Sequence, residues 1–310
     1  MLSCSRPAVP RCRCRHPQHG RKCRSLSIST TRRVVHADSA YQPKAHSRRR
    51  AQVKSSGGVR LLGVPLGGQD TQYARGDIFP GVFRFVLELA ATSERAPLPV
   101  AVLTARAREF RFALELREGD PVCAGFRSMG AANGYTWGVG PVLYGSVVEV
   151  SLCFLARAQR PPRPDKLSSQ LCQWLFQERK GWRKSDNFER LVSESASSTQ
   201  FVFIGDTGEG DEEAAERMLA RHADRIAAVF LHVVSGEDAP PPSARAVLGR
   251  PICYFRTYAG AAAQALELGL IDRDAALRVA QDAERDLAGT SPLASKWLDL
   301  QYDAERLRGT

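Results

Sequence analysis

Apolar and polar positions along this chain fall into two alternating patterns. Val82 to Ala90 (VFRFVLELA) repeats apolar residues at spacings of three and four, which predicts a helix opened by the Asp77-Ile-Phe-Pro-Gly81 turn. Pro97 to Thr104 (PLPVAVLT) is a short continuous apolar run, the pattern of a buried strand, and Ala105 to Leu116 returns to helical spacing. Phe201 to Ile204 predicts a second buried strand, and Glu212 to Leu219 the helix after it. Ala227 to Val234 predicts a third strand. Gly130 to Tyr144, rich in glycine and aromatics, reads as loop, and Gly181 to Phe188 as the approach to a short helix. Ala239-Pro-Pro-Pro242 breaks the chain, and Tyr258 to Leu307 reads as Ala-rich helix. Strands alternating with helices argue for an α/β fold, a doubly wound parallel sheet with crossover helices and a helical C-terminal appendage.

Charge changes the picture only at one end. The chain of 310 residues has a net charge of +11, but residues 1–54 carry 14 Lys/Arg against one acid, Asp38. The rest, with 30 basic and 32 acidic residues, is close to neutral, so the overall charge says nothing of the body's partner. Residues 1–52 therefore read as a disordered basic leader, rich in Arg and Ser like an organelle transit peptide. Such a leader implies a chloroplast or mitochondrion if it is genuine, and the cytoplasm if it is an artefact. Its Cys12-x-Cys14-x-His16 cluster fits no tetrahedral zinc pattern well. A basic block alone is an electrostatic footprint without an aromatic platform, so no nucleic-acid partner is expected. No apolar run is long enough to span a bilayer.

The candidate chemistry lies in Phe201-Val-Phe-Ile-Gly-Asp-Thr-Gly-Glu-Gly-Asp211. Asp206 and Asp211 stand beyond the carboxyl end of a strand, where open α/β sheets bind ligands. A hard cation such as Mg2+ takes one or two carboxylates and leaves its other positions to water and phosphate oxygens. Asp211 also suits the first turn of a helix, where acids favour the dipole; that does not explain Asp206. Thr104 and Lys184 complete the set, although Thr104 could instead cap a helix and Lys184 could be a solvated charge beside Arg183.

A strand ending in Thr104, an isolated Lys184 and the Gly205-Asp206 tip with Asp211 resemble, in order, the later motifs of the haloacid dehalogenase superfamily. Residues 53 to about 290 resemble more closely the catalytic domain of the actin-patch-associated phosphatidate phosphatases. Phe203-Ile-Gly-Asp-Thr-Gly-Glu-x-Asp211, Val102-Leu-Thr-Ala-Arg106 and Phe255-Arg-Thr-Tyr-Ala-Gly-Ala261 carry the resemblance. It implies a Mg2+-dependent phosphatase acting on phosphatidate, a phosphorylated lipid, or another small phosphomonoester through an aspartyl-phosphate. Asp206 would ligate the metal, Asp211 would ligate or support it, and Gly205 and Thr207 would shape the phosphate loop. Thr104 would bond a phosphoryl oxygen and Lys184 would pair with nucleophile and phosphate.

The family's opening Asp-x-Asp-Asp-Thr is missing before Val53-Lys-Ser-Ser-Gly-Gly58. Arg48 stands where the nucleophile belongs and Arg50 where the general acid belongs. On this reading the chain lacks its nucleophile, which leaves as the alternative an inactive pseudophosphatase that binds without turnover. Residues 150–173 also interrupt the pattern. They begin Val-Ser and end in Gln, as a translated intron running from GTGAGC to CAG would, and their length of 24 residues keeps the frame. The expectation is that 1–52 and 150–173 are wholly or partly translated non-coding sequence or an isoform; a genuine leader and insertion are the alternative. The division expected is leader 1–52, phosphatase-like domain 53–290 and helical tail 291–310.

Overall fold

A computed structural model describes residues 31–38, 55, 60–61, 64–65, 70, 73, 76–91, 96–107, 119–145, 181–208, 210–234, 241–289 and 294–309. The insertion at 150–173, the Cys12–Cys23 cluster, Arg48 and Arg50 lie outside the described residues. The strands are β1 (Thr31–Asp38), β2 (Arg60–Leu61), β3 (Val64–Pro65), β4 (Val100–Ala107), β5 (Val139–Gly145), β6 (Thr199–Asp206), β7 (Ile226–His232), β8 (Arg245–Val247) and β9 (Arg250–Phe255). The helices are α1 (Val82–Ala90), α2 (Pro121–Ala132), α3 (181–193), α4 (Asp211–His222), α5 (Tyr258–Glu267), α6 (Arg273–Asp286) and α7 (Ser295–Gly309).

Seven strands form one sheet in the order β5-β4-β1-β6-β7-β9-β8, parallel throughout except for β8, which runs antiparallel to β9 at the edge. The chain winds outward from β1 through β4 to β5, then returns to β6 on the other side of β1 and winds outward again. The reversal falls between β1 and β6. In open parallel sheets the crevice at such a reversal, beyond the carboxyl ends of the strands, is where ligands bind.

Period-two alternation along the central strands feeds a core on each face. Val202 and Ile204 of β6 and Ala228 and Phe230 of β7 pack beneath α1, α2, α5, α6 and α7. Phe201, Phe203, Val229 and Leu231 face the other way, against Phe188 and Leu191 of α3 and Ala214, Met218 and Leu219 of α4. Phe85, wholly buried on α1, meets Phe230 edge to face at 5.4 Å.

Several expectations are corrected. The expected disordered leader gives way over Thr31–Asp38 to β1, paired on both sides at the centre of the sheet. Val34 and Val35 are its only β-branched pair, too short a run to stand out from a basic stretch. The strand expected to stop at Thr104 continues to Ala107, so the following helix does not begin at Ala105; residues 108–118 lie outside the described ones. Gly130 to Tyr144, read as loop, holds the end of α2 and most of β5. The missed signal for α2 is Asp120-Pro121: the Asp120 side chain accepts from Val122 N at 2.9 Å and Pro121 takes the first turn. The stretch 181–188, read as an approach, is already helix.

The C-terminal helices are built into the fold. Leu300, Ala304 and Leu307 of α7 join the core on the face of α5 and α6. Thr257 caps α5 by accepting from Gly260 N at 3.0 Å and donates to Asp303 of α7 at 2.6 Å. Burial holds the Asp303 carboxyl above its ordinary pKa; the Thr257 bond opposes this, Asp299 reinforces it and Arg306 opposes it. A raised folded pKa means that the folded state keeps this proton longer than the unfolded chain. The stabilisation is full below the ordinary carboxylate value and is lost as pH rises through the raised one. Asp303→Asn, which can still accept from Thr257, is expected to flatten that decline, read as chemical-denaturation midpoints from pH 4 to 7.

Candidate active site

Thr104, Lys184, Asp206 and Asp211, chosen from sequence alone, are all buried among the described residues at the carboxyl side of the sheet. Asp206 ends β6 and is 5% exposed. Its Oδ1 accepts from Gly208 N at 2.8 Å, folding the loop back over the strand tip. Gly210 follows with a φ of 76°, a left-handed conformation that glycine adopts without penalty, and turns the chain into α4.

Asp211, the first residue of α4, is fully buried and has both carboxylate oxygens engaged. Oδ1 forms an ion pair with Lys184, and Oδ2 accepts from the Asp206 backbone N at 3.1 Å. Both oxygens are thus used within the fold. Asp211 fixes the Asp206 backbone with one oxygen and the Lys184 ammonium with the other.

Helix α3 delivers Lys184 through close packing on α4. At Gly181 an added Cβ would stand 2.8 Å from the Gly210 carbonyl oxygen, so the helices touch there with no side chain between. Trp182 donates to Glu213 at 2.8 Å, with the Arg217 guanidinium 4.0 Å from its ring centre. Lys184 is thereby buried at 0% exposure, which excludes the solvated charge weighed as its alternative role. A wholly buried lysine is tolerated only with an acidic partner, and Asp211 is that partner.

Gly205 explains itself by contact. A Cβ at this position would lie 2.7 Å from the Asp211 Cβ and 2.8 Å from its Oδ2. Gly205→Ala is therefore expected to push Asp211 off Lys184 and cost about 1–3 kcal/mol of stability, measured by urea unfolding. Thr207 braces the loop: its N–H donates to the His232 carbonyl at 3.0 Å, and its hydroxyl accepts from Val234 N at 3.4 Å.

Thr104 is 1% exposed and lies three residues before the end of β4, paired in register with Asp38 of β1 and Tyr144 of β5. It does not cap a helix, because the strand continues. Asn187 of α3, missed by the sequence reading, donates to the carbonyls of Thr104 at 3.4 Å and Leu143 at 3.1 Å. It ties the lysine-bearing helix to β4 and β5, and only its spacing of three from Lys184 could have marked it.

The register of β1 adds one more acidic residue to this edge. Asp38 pairs with Thr104 across β4, and His36 pairs with Ile204 across β6. Two residues beyond that last pair stand Asp38 on β1 and Asp206 on β6, the two strands that flank the reversal of strand order. Asp38 was counted in the sequence only as the lone acid of a basic leader; what marks it is its place as the last residue of the central strand.

On the far side of Asp206, His232 ends β7 in register with it. Its Nε2 lies 2.9 Å from the Arg256 carbonyl oxygen, and burial lowers its pKa against the opposing charge of Asp70. Burial likewise raises the pKa of the Tyr258 hydroxyl, with Tyr73 and Asp206 adding to the shift.

Among the described residues no three His, Cys, Asp or Glu side chains gather as a metal cluster, and no helix is long and apolar enough to cross a membrane. Comparison with protein-family models, with curated proteins and with solved structures finds no match to this chain.

Proposed function

We propose that this chain is a Mg2+-dependent phosphatase of the haloacid dehalogenase type, acting on a phosphorylated lipid or another phosphomonoester, with Asp38 as its nucleophile. The observation that carries this reading is the alignment of Asp38 and Asp206 at the ends of the two strands flanking the strand-order reversal, with Thr104 in register beside Asp38. This departs from the expectation that no nucleophile is present.

The donor types fit a hard cation, which needs only one or two carboxylates here. Asp206, with Asp38, would hold Mg2+, which when bound neutralises phosphate charge. In this reading a carboxylate oxygen of Asp38 attacks phosphorus as the bond to the ester oxygen breaks, giving an aspartyl-phosphate and an alkoxide or phenolate that takes its proton from solvent. Water then attacks that phosphorus, releasing phosphate and restoring the carboxylate. Lys184, held by Asp211, presents a fixed positive charge that favours phosphate at this edge. Thr104, in register with Asp38, would supply a hydroxyl to a phosphoryl oxygen.

The resemblance places a general acid two residues after the nucleophile. Counted from Asp38 that residue is Ala40, which holds no proton to give to the leaving alcohol. Esters with good leaving groups should accordingly turn over on the order of a hundred-fold or more faster than alkyl phosphates. The test is steady-state hydrolysis of p-nitrophenyl phosphate by the full chain with and without Mg2+, with Asp206→Asn as control. Mg2+-dependent turnover that the variant loses at low Mg2+ supports the reading. Phosphate and Mg2+ binding without turnover supports instead the inactive binding module, which the missing acid favours.

A further inference from the structure

His232 does more than end its strand. Its carbonyl accepts from Thr207 N at 3.0 Å, tying it to the loop after β6, and its ring reaches the Arg256 carbonyl beyond the end of β9 at 2.9 Å. The side chain is only 3% exposed. A carbonyl oxygen can only accept, so Nε2 carries the proton, and in the neutral ring Nδ1 is left as a lone-pair acceptor. That Nδ1 is buried and has no hydrogen-bond partner among the described residues. Leaving a buried acceptor unsatisfied is costly, and native structures rarely do so without an ordered water or ligand.

A small cavity adjoins the ring. Its lining includes Tyr73, Phe79, His232, Arg256, Thr257 and Tyr258, and its volume is about 10 Å³, at the lower limit for a single water. Phe79 stands 4.4 Å from the His232 ring centre, closing one side with an apolar edge. Part of the polar lining comes from Arg256, Thr257 and Tyr258, where β9 leads into α5, and His232 itself ends the strand paired with that of Asp206.

We propose that this cavity is a hydroxyl subsite, in which one O–H group donates its hydrogen bond to His232 Nδ1. The O–H belongs to a resident water or to a hydroxyl on the ligand of the adjacent edge; the chemistry is the same for both. The inference rests on the buried lone pair and the cavity, and it stands whether or not the chain hydrolyses phosphate.

The test is 15N NMR of the full chain labelled at histidine, read alone and then with Mg2+ plus either inorganic phosphate or glycerol 3-phosphate. His232 is assigned by comparison with His232→Gln. The expected result is a proton coupled to Nε2 and an Nδ1 resonance moved upfield from that of a free acceptor. If the shift is present in the protein alone, the donor is the resident water. If it appears with glycerol 3-phosphate and not with inorganic phosphate, the donor is a ligand hydroxyl. A proton on Nδ1, or an Nδ1 resonance at the free-acceptor position under all three conditions, overturns the proposal. Failure of the phosphatase assay leaves these resonances unaffected, so the two proposals fail separately.

Discussion

Asp38→Asn is expected to lower Mg2+-dependent phosphomonoester hydrolysis by on the order of a million-fold, the scale of loss on removing an essential nucleophile. Stability should change little, because an amide nearly matches the carboxylate in size and the residue is the last of its strand. The comparison that gives this meaning is Asp206→Asn, which on the same account weakens Mg2+ dependence first. At saturating Mg2+ the position-206 variant should recover part of its rate, whereas the position-38 variant should recover none. Rates measured across a Mg2+ titration separate the two. Equal loss at every Mg2+ concentration would mean that the residues do not divide the work in this way.

Lys184→Met should cost about 3–5 kcal/mol of stability, because it leaves the Asp211 carboxylate buried without its counter-charge. The consequence extends past the pair itself. Asp211 Oδ2 holds the Asp206 backbone N–H, so a displaced Asp211 loosens the strand tip that carries Asp206. The double variant Lys184→Met, Asp211→Leu removes both charges and should regain part of the lost stability, the remainder being the cost of the Asp206 N–H, from which leucine cannot accept a hydrogen bond. Denaturant midpoints for the two singles and the double measure the coupling. Additive losses would show that the ion pair is not the unit of stability here.

The parts of the fold that were legible are those with one strong period. The helix over Val82–Ala90 has the bounds its spacing predicted, and Phe201–Ile204 lies at the heart of β6 because four buried apolar residues admit few other environments. Lys184 and Asp211 were found by motif, but their direct pairing was not expected, since nothing in the spacing of 27 residues tells that α3 rests on α4 at a glycine contact. The strand β5 was hidden because it is an edge strand whose Gly140 and Pro141, with Gly138 just before it, read as turn chemistry. β1 was hidden for a different reason. Arg32, Arg33 and His36 break the apolar run that a central parallel strand ordinarily shows, so the segment carries the composition of a leader and the position of a core strand. Asp38 went unread with it, and with it the residue on which the proposed chemistry turns.

The most direct measurement is covalent trapping. The full chain is mixed with p-nitrophenyl phosphate and Mg2+, quenched in acid within the turnover time and reduced with borohydride, which converts an aspartyl-phosphate to homoserine. Peptide mass spectrometry then reads the modified position. Homoserine at position 38, absent without substrate and absent in Asp38→Asn, is the predicted result. Turnover with homoserine at any other aspartate, or with none at all, would contradict the assignment of Asp38 as the nucleophile at the β1–β6 crevice.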